Sequence, residues 1–209
     1  ILHLHMSLKN HLNRILLAAI IIVAAFLRFY HFFELPFMWD ELSALHRLHF
    51  SSFSELIEKG VKPDGHPAGV QVFLYYWVRL FGDAEWVVKL PFNLMGLASI
   101  YIFYLITCIW FSEKSGLIAA AFMASLQFFV LYSSIARPYV SGLFLSLMMV
   151  YYWSRYMFRI PARKHLIGFI IFAALSAYNH HFSLLFAAMV GFTGLLIIKK
   201  NQVKEYVLS

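Results

Sequence analysis

Six apolar runs decide what this chain can fold into: Arg14 to Tyr30, Leu90 to Phe111, Leu117 to Ser133, Pro138 to Ser154, Leu166 to Tyr178 and Ser183 to Ile198. A helix needs roughly 17–25 mostly apolar residues to cross about 30 Å of hydrocarbon. The first four runs reach that length; the last two are shorter and are separated by "NHHF", which reads as a tight polar corner between two helices. Composition agrees, since 62% of residues are hydrophobic and 13% charged, against about 45–50% and about 25% in soluble domains. The expected fold class is all-α, a polytopic transmembrane helical bundle forming one membrane domain over residues 1–209. Residues 31–89 are expected to form a long external loop with juxtamembrane helices. The single Cys108 has no partner for a disulfide within the chain. The chain opens on Ile1, with Met6 a natural start, and runs to "KKNQVKEYVLS" without a closing domain, which reads as part of a longer protein.

Charge placement gives the sidedness. Lys and Arg concentrate in short cytoplasmic loops, and "SRYMFRIPARKH", the tail lysines Lys199, Lys200 and Lys204, and Lys9 with Arg14 are the basic clusters. All three fall on the cytoplasmic side only if the apolar helix Ala68 to Phe81 does not cross. That helix, with its "FLYYW" cluster, therefore reads as lying in or dipping into the outer leaflet. Residues 31–89 carry eight acidic and five basic residues, net −3, against a basic cytoplasmic side. With amphipathic pieces at Glu41 to Phe50 and Ser54 to Lys59, the segment reads as a small folded lid. The same parity puts Asp40, Glu41, Asp64, His66, Lys89, Arg137, Tyr139, Asn179, His180 and His181 on the external side.

Several of these residues are candidates for chemistry, each with a plainer reading beside it. Asp40 and Glu41 in a first helical turn complement the helix dipole; alternatively one of them is a general base whose proton affinity rises with partial desolvation at a membrane boundary. Adjacent residues point about 100° apart on a helix, so at most one is the base. "KPDGHPAG" is a rigid turn into a helix, or a turn that projects Asp64 and His66 toward Asp40. Lys89 and Arg137 are snorkelling cations, or together they hold a phosphate, aided by the helix start at Pro138. Adjacent histidines in "YNHH" share no helix face and adjoin no carboxylate, so hydrogen bonding outweighs metal ligation. No Gly-rich nucleotide loop, CxxC pair or HExxH helix is present.

The ordered set of motifs resembles a known family. A DE pair after the first span, "DGHPAG", "EWVVKLPFNLMGLASIYIFYL", "YSSIARPYVSGLFLSLMM" and "YNHHFSLLF" together resemble the amino-terminal half of GT-C glycosyltransferases of the protein O-mannosyltransferase and aminoarabinose transferase group. The likeness runs from about Leu27 to Ile198. It implies transfer of a sugar from a polyprenyl-phosphate donor to an acceptor lipid, glycan or protein on the external face, with inversion. By the family pattern Asp40 is the catalytic base with Glu41 beside it. Asp64 and His66 take the acidic and His-Pro positions of the first loop, and Lys89 and Arg137 neutralise the departing phosphate. Tyr139 and His180 line the pocket. Lys89 stands where the family commonly has Arg, "HPA" where it has "HPP", and Ile135 where relatives often carry an acidic or amide residue. The expected partners are that donor, the acceptor and membrane lipids, with no nucleic acid; no cofactor is assigned, and a divalent metal requirement stays open. The compact loops suggest a bacterial inner membrane with the site facing the periplasm. The alternatives are a transporter or lipid flippase subunit, whose charges should spread through the depth of the spans, and an inactive scaffold that binds a carrier lipid.

Overall fold

The computed structural model describes residues 2–207, with side chains from His11 onward apart from Asn201 and Glu205. Helices α1 (Leu2–Phe29), α5 (Glu85–Trp110), α6 (Glu113–Ser125), α7 (Gln127–Ser133), α8 (Pro138–Phe158), α9 (Arg163–Asn179) and α10 (His181–Ile197) form the bundle. Between α1 and α5 lie α2 (Trp39–His46), the short α3 (Phe53–Glu55), a π-helical segment Leu56–Val61, a 3-10 turn Lys62–Asp64 and α4 (Gly69–Phe81); α11 (Val203–Val207) follows α10. No strand occurs among the described residues. The all-α membrane bundle is thus the observed class.

Helices occupy all six apolar runs, but fewer than six pass as spans. His11–Glu34 and Glu85–Trp110 are long and apolar enough to cross, and a third span results if the bent pair α6 and α7 is one element. The run Leu117 to Ser133, expected as one helix, is broken at Leu126 with a 61° bend. Carbonyls at the break are met from another helix. A break exposes the last carbonyls of α6, and the buried Arg28 guanidinium of α1 donates to Ala124 O (3.1 Å) and Met123 O (3.3 Å). A cation on carbonyls at a helix C-terminus is favoured by both hydrogen bonding and the helix dipole. At 17 residues each, α9 and α10 are about 25 Å long, at the lower limit for a crossing. The 13-residue α4 spans only about 20 Å, too short to cross about 30 Å of hydrocarbon.

Three apolar clusters carry the packing. Ala24, Ile100, Ala120, Met123 and Ala124 join α1, α5 and α6. Met149, Trp153, Tyr156, Leu166 and Phe169 join α8 to α9, with Tyr206 of α11. The third ties the first loop to the bundle: Leu48, Leu56, Val70, Leu74 and Tyr75 pack on Val88, Phe92, Ala136 and Val140. Residues 31–89 therefore fold as a lid on the ends of α5 and α8 instead of hanging as a tether. Gly69 is part of that seat, because a Cβ there would come within 2.5 Å of Tyr178 O at the end of α9.

Candidate functional site

Asp40 and Glu41 are adjacent in the first turn of α2 and do different things. Glu41 points inward and is 0% exposed. Its Oε1 accepts the Ala136 backbone N–H (2.7 Å), and its Oε2 accepts the Met38 N–H (2.9 Å) and the Lys89 ammonium (2.8 Å). Lys89, 2% exposed, gives its other protons to Pro36 O (3.1 Å) and Ser134 O (3.2 Å). Three donors thus meet the carboxylate and three acceptors meet the ammonium, the condition under which a buried pair is tolerated. This pair joins α2, α5 and the α7–α8 connection.

Asp40 points outward, its side chain 44% exposed. Its Oδ2 accepts the Tyr139 hydroxyl proton (3.0 Å) and lies 3.1 Å from Arg137 Nε, although the Nε–H is not aimed at it. Arg137 and Tyr139 flank Pro138 at the start of α8, where the helix leaves unpaired N–H groups. The Tyr139 ring meets Tyr132 of α7 edge-on, centroids 5.1 Å apart. A half-exposed carboxylate, a guanidinium held 11% exposed and a phenol hydroxyl thus converge at the end of the bundle.

The "DGHP" turn and the "NHH" corner close the other side. Gly65 adopts φ +67°, a left-handed conformation that side chains disfavour, and this lets the chain reverse before His66. His181 Nε2–H donates to Gly65 O (2.9 Å), and the rings of His66 and His180 stand 5.7 Å apart. Of the two readings of the "DGHP" turn, Asp64 follows the turn rather than projection toward Asp40: its carboxylate pairs with Arg47 at the end of α2 and lies 3.2 Å from His66 Nδ1. Asn179 is buried; its Oδ1 accepts from Ser141 (2.7 Å) and its Nδ2 donates to Pro138 O (2.9 Å), locking the corner to the start of α8.

His180 has a defined protonation pattern. Its Nδ1 accepts the Phe182 N–H (3.2 Å), capping α10, so Nδ1 must be unprotonated and the mobile proton sits on Nε2. Burial, then the neighbouring His66, His181 and Arg137, push its pKa below the ordinary histidine value. Below His180 runs a cleft of about 550 Å³ between α8 and α10, with Tyr139 and His180 at one end and Leu143 and Phe186 along it. Among the described residues no three His, Cys, Asp or Glu side chains are placed to hold a metal ion.

The structure therefore gathers Asp40, Arg137, Tyr139, His66 and His180, and sets Glu41 with Lys89 behind them. Sequence reasoning missed Arg47. The signal was present: in a net-acidic loop, an arginine at the end of the helix that Asp40 opens is a natural partner for Asp64. Asn179 was noticed only as part of a polar corner, and its role in fixing Pro138 has no sequence signature.

No curated protein and no solved structure matches the chain. A family description does: residues 65–209 match dolichyl-phosphate-mannose-protein mannosyltransferase. The matched segment contains His66, Lys89, Arg137, Tyr139 and His180, while Asp40, Glu41 and Asp64 precede it. The transporter and flippase alternatives fall away with this match, which covers more than half of the chain; the apolar helices make it an integral membrane protein. The chain belongs to the dolichyl-phosphate-mannose-protein mannosyltransferase family, the membrane glycosyltransferases that draw sugar from a polyprenyl-phosphate carrier.

Proposed function

We propose that the protein transfers a sugar from a polyprenyl-phosphate donor to a hydroxyl of an acceptor lipid, glycan or protein at the external membrane face, inverting the anomeric carbon, with Asp40 as general base. The observation that carries this reading is the convergence of Arg137 Nε and Tyr139 OH on one oxygen of a half-exposed Asp40 carboxylate. A base must be reachable by the hydroxyl it deprotonates, and Asp40 is; Glu41, sealed and saturated, is not.

In this reading Asp40 accepts the acceptor's hydroxyl proton, the acceptor oxygen forms its bond to the anomeric carbon, and the bond from that carbon to the phosphate oxygen breaks. The electron pair leaves on the phosphate. Arg137 is the cation for that charge, with His180 Nε2–H as a further donor, since charge that grows in the transition state is where preorganised donors act most strongly. In the resting state Arg137 lies against Asp40. An arriving phosphate competes for the guanidinium, so donor binding frees that carboxylate oxygen to meet the acceptor hydroxyl. Lys89 has no proton left for a phosphate. Its part here is to hold α2 against the α7–α8 connection, so that Asp40 and Arg137 stay together. The cleft between α8 and α10 offers the isoprenoid chain an apolar path that ends at Tyr139 and His180. The basic clusters at the opposite end support an external placement of the site, and the compact loops favour a bacterial inner membrane with the site facing the periplasm.

The test uses sealed, right-side-out proteoliposomes holding the protein with polyprenyl-phosphate [¹⁴C]mannose and an external acceptor, with the anomer of the product read by NMR. Labelled product outside with inverted configuration is expected. Retained configuration, or product only in inverted vesicles, contradicts the reading.

A further inference from the structure

The external lid contains a cavity of about 700 Å³ that includes none of the residues around Asp40. Phe37, Phe50 and Tyr75 supply aromatic wall, and His49, Arg79 and Asp83 supply polar groups. Its parts are held in place by the protein itself. The Arg79 guanidinium lies 3.4 Å from the Tyr75 ring centroid and donates to Phe50 O. Trp77 Nε1–H donates to Val87 O (2.8 Å), clamping the α4–α5 turn that carries Asp83. Phe37 follows Pro36, whose carbonyl Lys89 holds.

The chemistry of this lining selects a ligand class. Arg79 donates, Asp83 accepts and His49 can do either, so the lining offers both kinds of partner. Aromatic faces add apolar contact area beside them. The charges of Arg79 and Asp83 oppose each other, so no net field favours a phosphate. Among the described residues no strand edge is present to pair with an extended peptide. A saccharide matches all of this, since each ring has apolar C–H faces and hydroxyls that both donate and accept. The cavity also lies along α2 from the site, with Leu45 in its wall five residues after Asp40, about 8 Å of helix.

We propose that this cavity binds saccharide units of a glycan acceptor beyond the hydroxyl presented to Asp40, an inference that rests on the transferase reading for its purpose. The test is saturation-transfer NMR on the protein in nanodiscs with methyl mannobioside as probe, and with the peptide Ala-Thr-Ala and inorganic phosphate as controls. The expected result is saturation of the sugar ring protons, reduced about fivefold or more, roughly 1 kcal/mol of affinity, in H49A/D83A. Both residues are exposed, so the fold should tolerate the change. Asp40→Asn should leave the signal in place. No saturation at about 10 mM probe, weaker than about −3 kcal/mol, overturns the proposal. So does an unchanged signal in H49A/D83A, or stronger saturation of the peptide. If H49A/D83A loses saccharide binding while the wild type transfers no sugar, this site stands and the transferase reading alone fails.

Discussion

Replacing Lys89 by Met should cost more than its position in one helix suggests. Glu41 would keep the Ala136 and Met38 N–H groups but lose its counter-ion while remaining 0% exposed. Breaking a buried pair by removing one partner costs about 3–5 kcal/mol, whereas removing both charges together is often neutral or better. For a chain of this size about 2–4 °C accompanies each kcal/mol, so Lys89→Met should lower the melting temperature by about 6–20 °C. The double variant E41Q/K89M, which removes both charges and keeps an acceptor oxygen for one of the two backbone donors, should recover part of that loss. The assay is intrinsic-fluorescence thermal unfolding in detergent, with all variants at one protein concentration. A Lys89→Met melting temperature within about 2 °C of wild type, or a double variant no better than the single, refutes the reasoning that this pair is sealed and mutually compensated.

Three further outcomes follow from the same geometry. Arg137→Ala should reduce the transfer rate about 10²–10³-fold, the effect of removing one charge-stabilising donor, with Arg137→Lys intermediate because it keeps charge and loses the planar fork; equal rates in steady-state transfer assays would contradict this. His180 has a lowered pKa, so the unfolded chain binds more protons there: its stabilising contribution is full above the ordinary histidine value of about 6.5 and is lost as pH falls through the lower folded value. The melting temperature should accordingly drop between neutral and acidic pH less steeply in His180→Asn than in wild type. Arg28→Met leaves the Met123 and Ala124 carbonyls at the α6 break without their donor and should cost about 1–3 kcal/mol; unchanged thermal unfolding would mean that Arg28 is not what stabilises the bend.

The membrane class and the positions of the helices were legible because an apolar run of sufficient length has few other fates. Helices in residues 31–89 were legible too, since α2 and α4 sit close to the amphipathic piece read at 41–50 and the apolar helix read at 68–81. The α6–α7 break was not. No Pro or Gly marks Leu126, and the residue that satisfies the freed carbonyls lies 96 positions away in α1. The site shows the same boundary. Charge and motif order singled out Asp40, Glu41, Lys89 and Arg137, but which carboxylate turns inward depends on what packs against α2. Likewise Lys89 and Arg137 look alike as external cations, and only tertiary contacts make one a buried tie and the other a group at the mouth of the site.

The most direct test of the account is mannose transfer from polyprenyl-phosphate [¹⁴C]mannose by membranes expressing wild-type protein or Asp40→Asn at matched levels. A general base contributes about 10²–10⁴-fold, so Asp40→Asn should lose at least about 10² of the rate while its melting temperature stays near that of wild type, because the side chain is half exposed. Transfer retained within about tenfold, a barrier change of only about 1.4 kcal/mol, would contradict Asp40 as the base and reduce it to a partner of Arg137 and Tyr139.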